Sequence, residues 1–200
     1  WERAAGGRRP VGAENYRVGE NVAVTPGKVV FANRLMELIQ YAPATETVYA
    51  TPLLMSPPWI NKYYVMDLAP GRSFVEWAVQ HGHTVFAISY RNPDASMSDT
   101  TLEDYLVHGP RAAIDVITEI TGSPKVNVVA VCLGGSLATM LLAYLAAVDD
   151  DGGAGDRGRL DDEAHRARHV FGSRRAAQRG HAVRGLEAGR VQHHRDPDRA

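Results

Sequence analysis

Cys132 is the only cysteine in this 200-residue chain, and its setting is that of a nucleophile. It follows the apolar, β-branched run Val126-Asn127-Val128-Val129-Ala130-Val131 and precedes Leu133-Gly134-Gly135-Ser136-Leu137, where a helical pattern opens. Strand, sharp turn and helix make a nucleophile elbow, whose close strand–helix packing demands small residues two before and two after the nucleophile. Ala130 and Gly134 meet that demand. The turn places Cys132 at a helix N-terminus, where the helix dipole and unpaired backbone N–H groups favour a thiolate over a thiol. The N–H of Leu133 would then point at the oxygen of an attacked carbonyl, as half of an oxyanion hole. A lone cysteine is more often a small buried hydrophobe. The strand-end position between small residues favours covalent acyl transfer instead.

The elements that must carry this turn can be read upstream. Val22 and Val24 alternate, Thr25-Pro26-Gly27-Lys28 has Pro and Gly where a type II turn wants them, and Val29-Val30-Phe31 follows; the pattern predicts an antiparallel hairpin. Leu35 to Tyr41 fits a helix face or a further strand and stays open between them. Val48 to Met55 reads as a strand, ended by Ser56-Pro57-Pro58. A loop rich in aromatics runs from Trp59 to Arg72. Ser73 and Glu76 form a capping box for a helix whose apolar face is Phe74, Trp77 and Ala78, stopped at Gly82. Thr84 to Ser89 is a second buried strand. Thr100 with Glu103 suggests another capping box, Pro110 suits the first turn of a helix to Thr121, and Gly122 closes it. Val126 to Val131 is the third strand of this series.

Strands separated by helix-length crossovers imply a parallel sheet with right-handed connections. The expected class is therefore α/β, with its site at the carboxyl ends of the strands. Three loops should converge there: the one after Ser56, the one after Ser89, and the elbow.

Composition limits the alternatives. A formal net charge of −1 argues against nucleic acid or an anionic membrane as a dominant partner. One cysteine excludes an internal disulfide and fits a reducing cytoplasm. The apolar run Leu137 to Val148 is shorter than the roughly 20 residues of a membrane span and reads as a buried helix. The chain starts at Trp1 without a signal segment, so it is expected to begin inside a longer protein.

Three regions follow: an arm over residues 1–15, mobile by its Gly, Arg and Pro content; a folded part over 16–150; and a tail over 151–200. The tail holds 11 arginines and 5 of the 8 histidines, with no Lys, Ile, Trp, Tyr, Thr, Asn or Met. So little apolar surface cannot offset the entropy of ordering, and disorder is expected. Arg, Gly, Ala, His, Asp and Pro also dominate GC-rich DNA read out of frame, so a shifted frame is a further expectation for the tail. Its histidines have no spacing that resembles a metal site.

Three blocks in order carry a family resemblance: Pro57-Pro58-Trp59-Ile60-Asn61-Lys62-Tyr63-Tyr64-Val65-Met66-Asp67-Leu68, then Ser89-Tyr90-Arg91-Asn92-Pro93, then Ala130-Val131-Cys132-Leu133-Gly134-Gly135. From about Tyr16 to Val148 the chain resembles the amino-terminal half of the catalytic region of single-subunit polyhydroxyalkanoate synthases. The cysteine box alone also resembles cysteine hydrolases of the dienelactone hydrolase type. The Trp59-Ile60-Asn61-Lys62 block is the specific part.

The resemblance implies an α/β-hydrolase fold, present here in part, and polymerisation of (R)-3-hydroxyacyl-CoA into polyester with release of CoA. It implies Cys132 as the nucleophile that carries the growing chain, and no cofactor or metal. Trp59, Ile60 and Asn61 lie on the loop expected to supply the second oxyanion donor and to touch substrate. A cytoplasmic location at polyester granules and a homodimeric parent are further implications. Ala130 replaces the glycine usual in the family box. In this fold the triad runs nucleophile, acid, histidine, so His81, His83 and His108 precede Cys132 and suit structural or surface roles. Asp162 and His165 have the right order but no matching context, and no role is carried onto them. Little or no turnover is expected of the chain as it stands. The alternatives are a cysteine-dependent hydrolase that passes acyl groups to water, and a non-catalytic protein that binds a granule or a synthase partner.

Overall fold

A computed structural model describes residues 11–60 and 62–150 and places five strands in one mixed sheet. The strands are β1 (Gly27–Ala32), β2 (Met36–Tyr41), β3 (Leu53–Ser56), β4 (Val85–Tyr90) and β5 (Asn127–Ala130). Their spatial order is β1-β2-β4-β3-β5. β1 pairs antiparallel with β2, and β2 antiparallel with β4. β3 is parallel to β4 on one side and to β5 on the other. Parallel pairs need crossovers, and helices supply them: α1 (Phe74–Gln80) between β3 and β4, then α2 (Leu102–Leu106) and α3 (Ala112–Thr121) between β4 and β5. α4 (Leu133–Asp150) leaves the end of β5.

Alternation along the strands divides the core between two faces. Leu53, Met55, Val85 and Ala87 pack with Val75, Ala78 and Val79 of α1. Leu54, Phe86, Ile88 and Tyr90 point the other way, onto Ala113 and Ile117 of α3. Burial on both faces is what makes β3 and β4 continuous apolar runs. A smaller cluster joins Leu106 of α2 to Leu137 and Leu141 of α4.

Several expectations are corrected. The hairpin exists, but it is β1–β2, one strand later than predicted. Its turn is at Asn33, whose side-chain oxygen accepts the N–H groups of Leu35 and Met36 at 2.8 and 2.9 Å. Val22 makes only an isolated bridge to Val18, and Ala23 is left-handed at φ 55°. Gly27 lies inside β1, where a Cβ would sit 3.0 Å from the Gln40 carbonyl oxygen, so close strand approach and not a turn explains it. Leu35 to Tyr41, ambiguous in sequence, is mostly β2.

Ser73 caps α1, accepting from the Glu76 N–H at 2.9 Å, but the expected box is not closed: the Glu76 carboxylate accepts the Gly71 N–H at 2.6 Å, and the buried face is Val75, Ala78 and Val79. Phe74 and Trp77 stack on each other at the surface, ring centroids 5.7 Å apart. The capping box before α2 is Thr101 with Asp104, one residue later than the predicted pair. Pro110 lies in a bend between α2 and α3, where Gly109 leaves helical geometry at φ −96°, ψ −110°. Helix α4 buries Leu137 and Leu141 but leaves Met140 and Leu142 exposed, so it is amphipathic in place and not the buried helix expected.

Part of the predicted arm is held: Ala13–Asn15 forms a 3-10 turn, and the Asn21 side chain donates to the Asn15 carbonyl at 2.7 Å. Residues 1–10 and 151–200, with Asp162 and His165 among them, lie outside the described residues. Among the described residues no helix is long and apolar enough to cross a membrane, and no group of three His, Cys, Asp or Glu side chains could hold a metal.

Candidate active site

Cys132 sits between β5 and α4 with φ 53°, the left-handed region that costs an L-residue roughly 1–2 kcal/mol. Such strain persists only where surrounding contacts hold it. Here the turn is tied by Gly134 N–H to the Val131 carbonyl at 2.9 Å, and by Gly135 N–H and Ser136 N–H to the Cys132 carbonyl at 2.9 and 3.2 Å. The cysteine is exposed. A Cβ at Gly134 would overlap the Ser56 carbonyl oxygen and come within 2.9 Å of the Pro57 carbonyl carbon. This is the close strand–helix approach for which an elbow needs a small residue. Gly135 is freer: a Cβ there would meet the Ala130 carbonyl oxygen at 3.7 Å, an ordinary contact.

Among the described residues the Leu133 N–H donates to no backbone carbonyl. It is the first N–H of α4, one of the groups a helix leaves without an internal partner. A carbonyl carbon under attack by the Cys132 sulfur would develop its negative oxygen near such donors.

The convergence of loops has two direct links. Pro57 lies against Gly134, joining the loop after β3 to the elbow. Lys62 Nζ donates to Asn92 Oδ1, joining that same loop to the one after β4. Sequence reasoning did not single out this pair. The available signal was a Lys and an Asn in loops that both follow parallel strands. Within the second loop Asp94 accepts from Ser96 and pairs with Arg91 at 2.5 Å, and the Ser96 hydroxyl first of all holds its carboxyl below the usual range.

Of the three predicted loop residues, Trp59 is part-buried, meets Tyr105 at a tilt with ring centroids 5.0 Å apart, and packs against the cluster of Leu106, Leu137 and Leu141. It therefore buttresses α4. Ile60 is 70% exposed, beside that wall and open to solvent. Asn61 lies outside the described residues.

The three upstream histidines are each engaged elsewhere. His81 stacks on Trp77 at 4.3 Å, and its Nδ1 is 2.7 Å from the Trp77 carbonyl oxygen. The His83 ring lies tilted against Tyr49, centroids 4.9 Å apart. His108 lies 3.8 Å from Asp104, and its carbonyl accepts from Asn33 at 2.8 Å.

With this geometry in place, the likeness to known proteins can be placed on it. A family described as "Poly-beta-hydroxybutyrate polymerase (PhaC) N-terminus" matches residues 4–78, and the alpha/beta hydrolase fold matches residues 52–149. The chain is similar to the polyhydroxyalkanoate polymerases. The poly(3-hydroxyalkanoate) polymerase subunit PhaC of Cupriavidus necator is 52% identical over 132 residues, covering 66% of this chain and 22% of that protein. The poly(3-hydroxyalkanoate) polymerase of Methylorubrum extorquens gives the same identity and coverage. The PhaC subunit of Rhizobium meliloti is 45% identical over 143 residues, 72% of this chain and 23% of that protein. The chain thus spans about a fifth of the length of the polymerases it matches. The α/β-hydrolase match runs from β3 into α4, the part of the polymerase-like sequence that carries the parallel strands and the elbow.

Proposed function

We propose that this chain carries the nucleophile of a polyhydroxyalkanoate polymerase, and that Cys132 takes an acyl group from (R)-3-hydroxyacyl-CoA. The observation that carries the reading is the strained, exposed Cys132 in a turn braced by Gly134 against Ser56 and Pro57. The Cys132 thiolate attacks the thioester carbonyl carbon, a new C–S bond forms, the bond to the CoA sulfur breaks, and CoA leaves as its thiolate. Exchanging one thioester for another keeps the acyl group activated. The 3-hydroxyl oxygen of a further unit then attacks that carbonyl carbon, the new C–O bond replaces the C–S bond, and the hydroxyl proton passes to a base. The Leu133 N–H stabilises the oxyanion in each step. The loop at Trp59, Ile60 and Asn61 borders the acyl group.

The base is the group the described residues lack in the expected order: no histidine occurs between Leu133 and Asp150. Acylation needs it least, because a thiolate is a strong nucleophile unaided. The 200-residue chain is therefore expected to acylate once and to turn over poorly. The polyester, its granule surface, a cytoplasmic location and a dimeric parent belong to the same reading.

The test mixes the chain with 3-hydroxybutyryl-CoA and follows CoA release alongside the mass of the intact protein. The expected result is one equivalent of CoA per chain and a matching adduct, both abolished in Cys132→Ala. Sustained CoA release that survives Cys132→Ala would remove Cys132 from the mechanism. Free 3-hydroxybutyrate as the product would favour a hydrolase.

A further inference from the structure

Beneath the elbow lie two buried hydroxyls that the chemistry above does not use. Ser56 is 1% exposed and Tyr90 8% exposed, and neither hydroxyl has a hydrogen-bond partner among the described residues. Leaving a buried hydroxyl unpaired is costly, and native structures rarely do so without a reason. Both side chains belong to the sheet face covered by α3. Leu54 and Ser56 alternate with Leu53 and Met55, while Phe86, Ile88 and Tyr90 share one cluster with Leu54. Leu54 pairs with Phe86, so Ser56 is in line with Ile88 and diagonal to Tyr90. Burial pushes the ionisation of the Tyr90 phenol up, and the nearby Ser56 hydroxyl opposes that shift.

Each end of this pair touches a special piece of backbone. A Cβ at Gly109 would come within 2.8 Å of the Tyr90 hydroxyl, at the point where the helical path between α2 and α3 breaks. The Ser56 carbonyl accepts the Val131 N–H at 3.4 Å and abuts Gly134. It thereby touches the residue before Cys132 and the second residue after it.

We propose that Tyr90 and Ser56 are positioning residues for Cys132: their hydroxyls bond to each other and fix the end of β3 on which the cysteine turn is built. The chain of contact runs from Gly109 through Tyr90 and Ser56 to Val131 and Gly134. Neither hydroxyl touches substrate. The proposal rests on Cys132 being the reacting group, and alkylation of its thiol tests it whether or not acyl-CoA is the substrate.

The experiment measures iodoacetamide alkylation of the full chain between pH 6 and 10, for which the single cysteine gives an unambiguous readout. Tyr90→Phe and Ser56→Ala are compared with the double variant and with Ser56→Thr, with circular dichroism confirming the fold. Each single variant is expected to slow alkylation roughly three- to tenfold, as a displaced active group does. The double variant should be no slower than either single, because both remove one bond. Ser56→Thr, which keeps the hydroxyl, should recover most of the rate. Should Tyr90→Phe not fold, Ser56→Ala against Ser56→Thr carries the same comparison alone. Unchanged alkylation in all variants overturns the proposal. So do single effects that multiply in the double variant, or a Thr variant as slow as the Ala one. Absence of CoA release from the unsubstituted chain, with Cys132 still alkylated, would count against the acyl-transfer reading and leave the positioning role to be decided by the variants' alkylation rates.

Discussion

At the scale of single residues, the site depends on what a methyl group would meet. Gly134 and Gly135 are adjacent and look equivalent in sequence, yet only the first is packed against backbone that cannot yield. Gly134→Ala is expected to destabilise the fold by about 3 kcal/mol, in the upper range for overpacking, and to dislodge Cys132. Gly135→Ala should stay within about 1 kcal/mol of the parent, since better helix propensity offsets an ordinary contact. Urea denaturation of the two variants side by side measures the difference, and equal midpoints would contradict it. The turn at Cys132 was legible because everything that defines an elbow is local: a β-branched run, small residues at fixed offsets, a helical pattern beyond. Lys62 and Asn92 were not, since 30 residues separate them and only the sheet brings them together. Trp59 was legible as a residue of the loop after β3, but its partner Tyr105 comes from a helix whose placement no local pattern reveals.

At the scale of elements, the segment Thr100-Thr101-Leu102-Glu103-Asp104 holds two overlapping capping boxes, and sequence alone does not rank them. The fold selects Thr101 with Asp104, each side chain accepting the other residue's backbone N–H, at 3.2 and 2.8 Å. Asp104 also pairs with Arg34 of the hairpin turn, a contact available only to this register. The Thr101 backbone N–H foremost holds the Asp104 carboxyl below its usual range, with the Thr101 hydroxyl, Arg34 and His108 adding to it against the opposing effect of burial. A depressed carboxyl stabilises the fold above its unfolded value, about 3.9, and that contribution is lost as the pH falls through the lower folded value. Asp104→Asn is therefore expected to cost about 1 kcal/mol at pH 7, and the gap to the parent should close below about pH 4. Thermal unfolding at several pH values checks this; a gap independent of pH would assign the cost to packing. The same scale explains the misread face of α1. Phe74 and Trp77 have the hydrophobicity of core residues, but the smaller Val75, Ala78 and Val79 fit the narrow space over β3 and β4, and the two rings cover each other outside.

At the scale of the whole molecule, the class of fold was legible and the order of its strands was not. Alternating strands and helices announce parallel pairing, but β1-β2-β4-β3-β5 depends on long-range pairing that leaves no local mark. The antiparallel half was the harder part to place, because a glycine that serves close strand approach looks like one that serves a turn. The burial of the strands is uneven as well. β4 is nearly fully buried, while β5 is half exposed and pairs with β3 alone among the described residues. Amide hydrogens of β5 and of the first turn of α4 are expected to exchange faster than those of β2 and β4, by about tenfold or more. Deuterium uptake by mass spectrometry would show it, and equal protection of β4 and β5 would rule it out.

The strand order also sets a sequence of events as the chain leaves the ribosome. β3 emerges before both of its neighbours, gains β4 after 28 intervening residues, and waits a further 36 for β5. The floor against which Gly134 packs is thus made long before the turn that needs it. Cys132 comes to its place after β3, β4 and β5 have emerged, so its reactivity during synthesis reports completion of this half of the sheet.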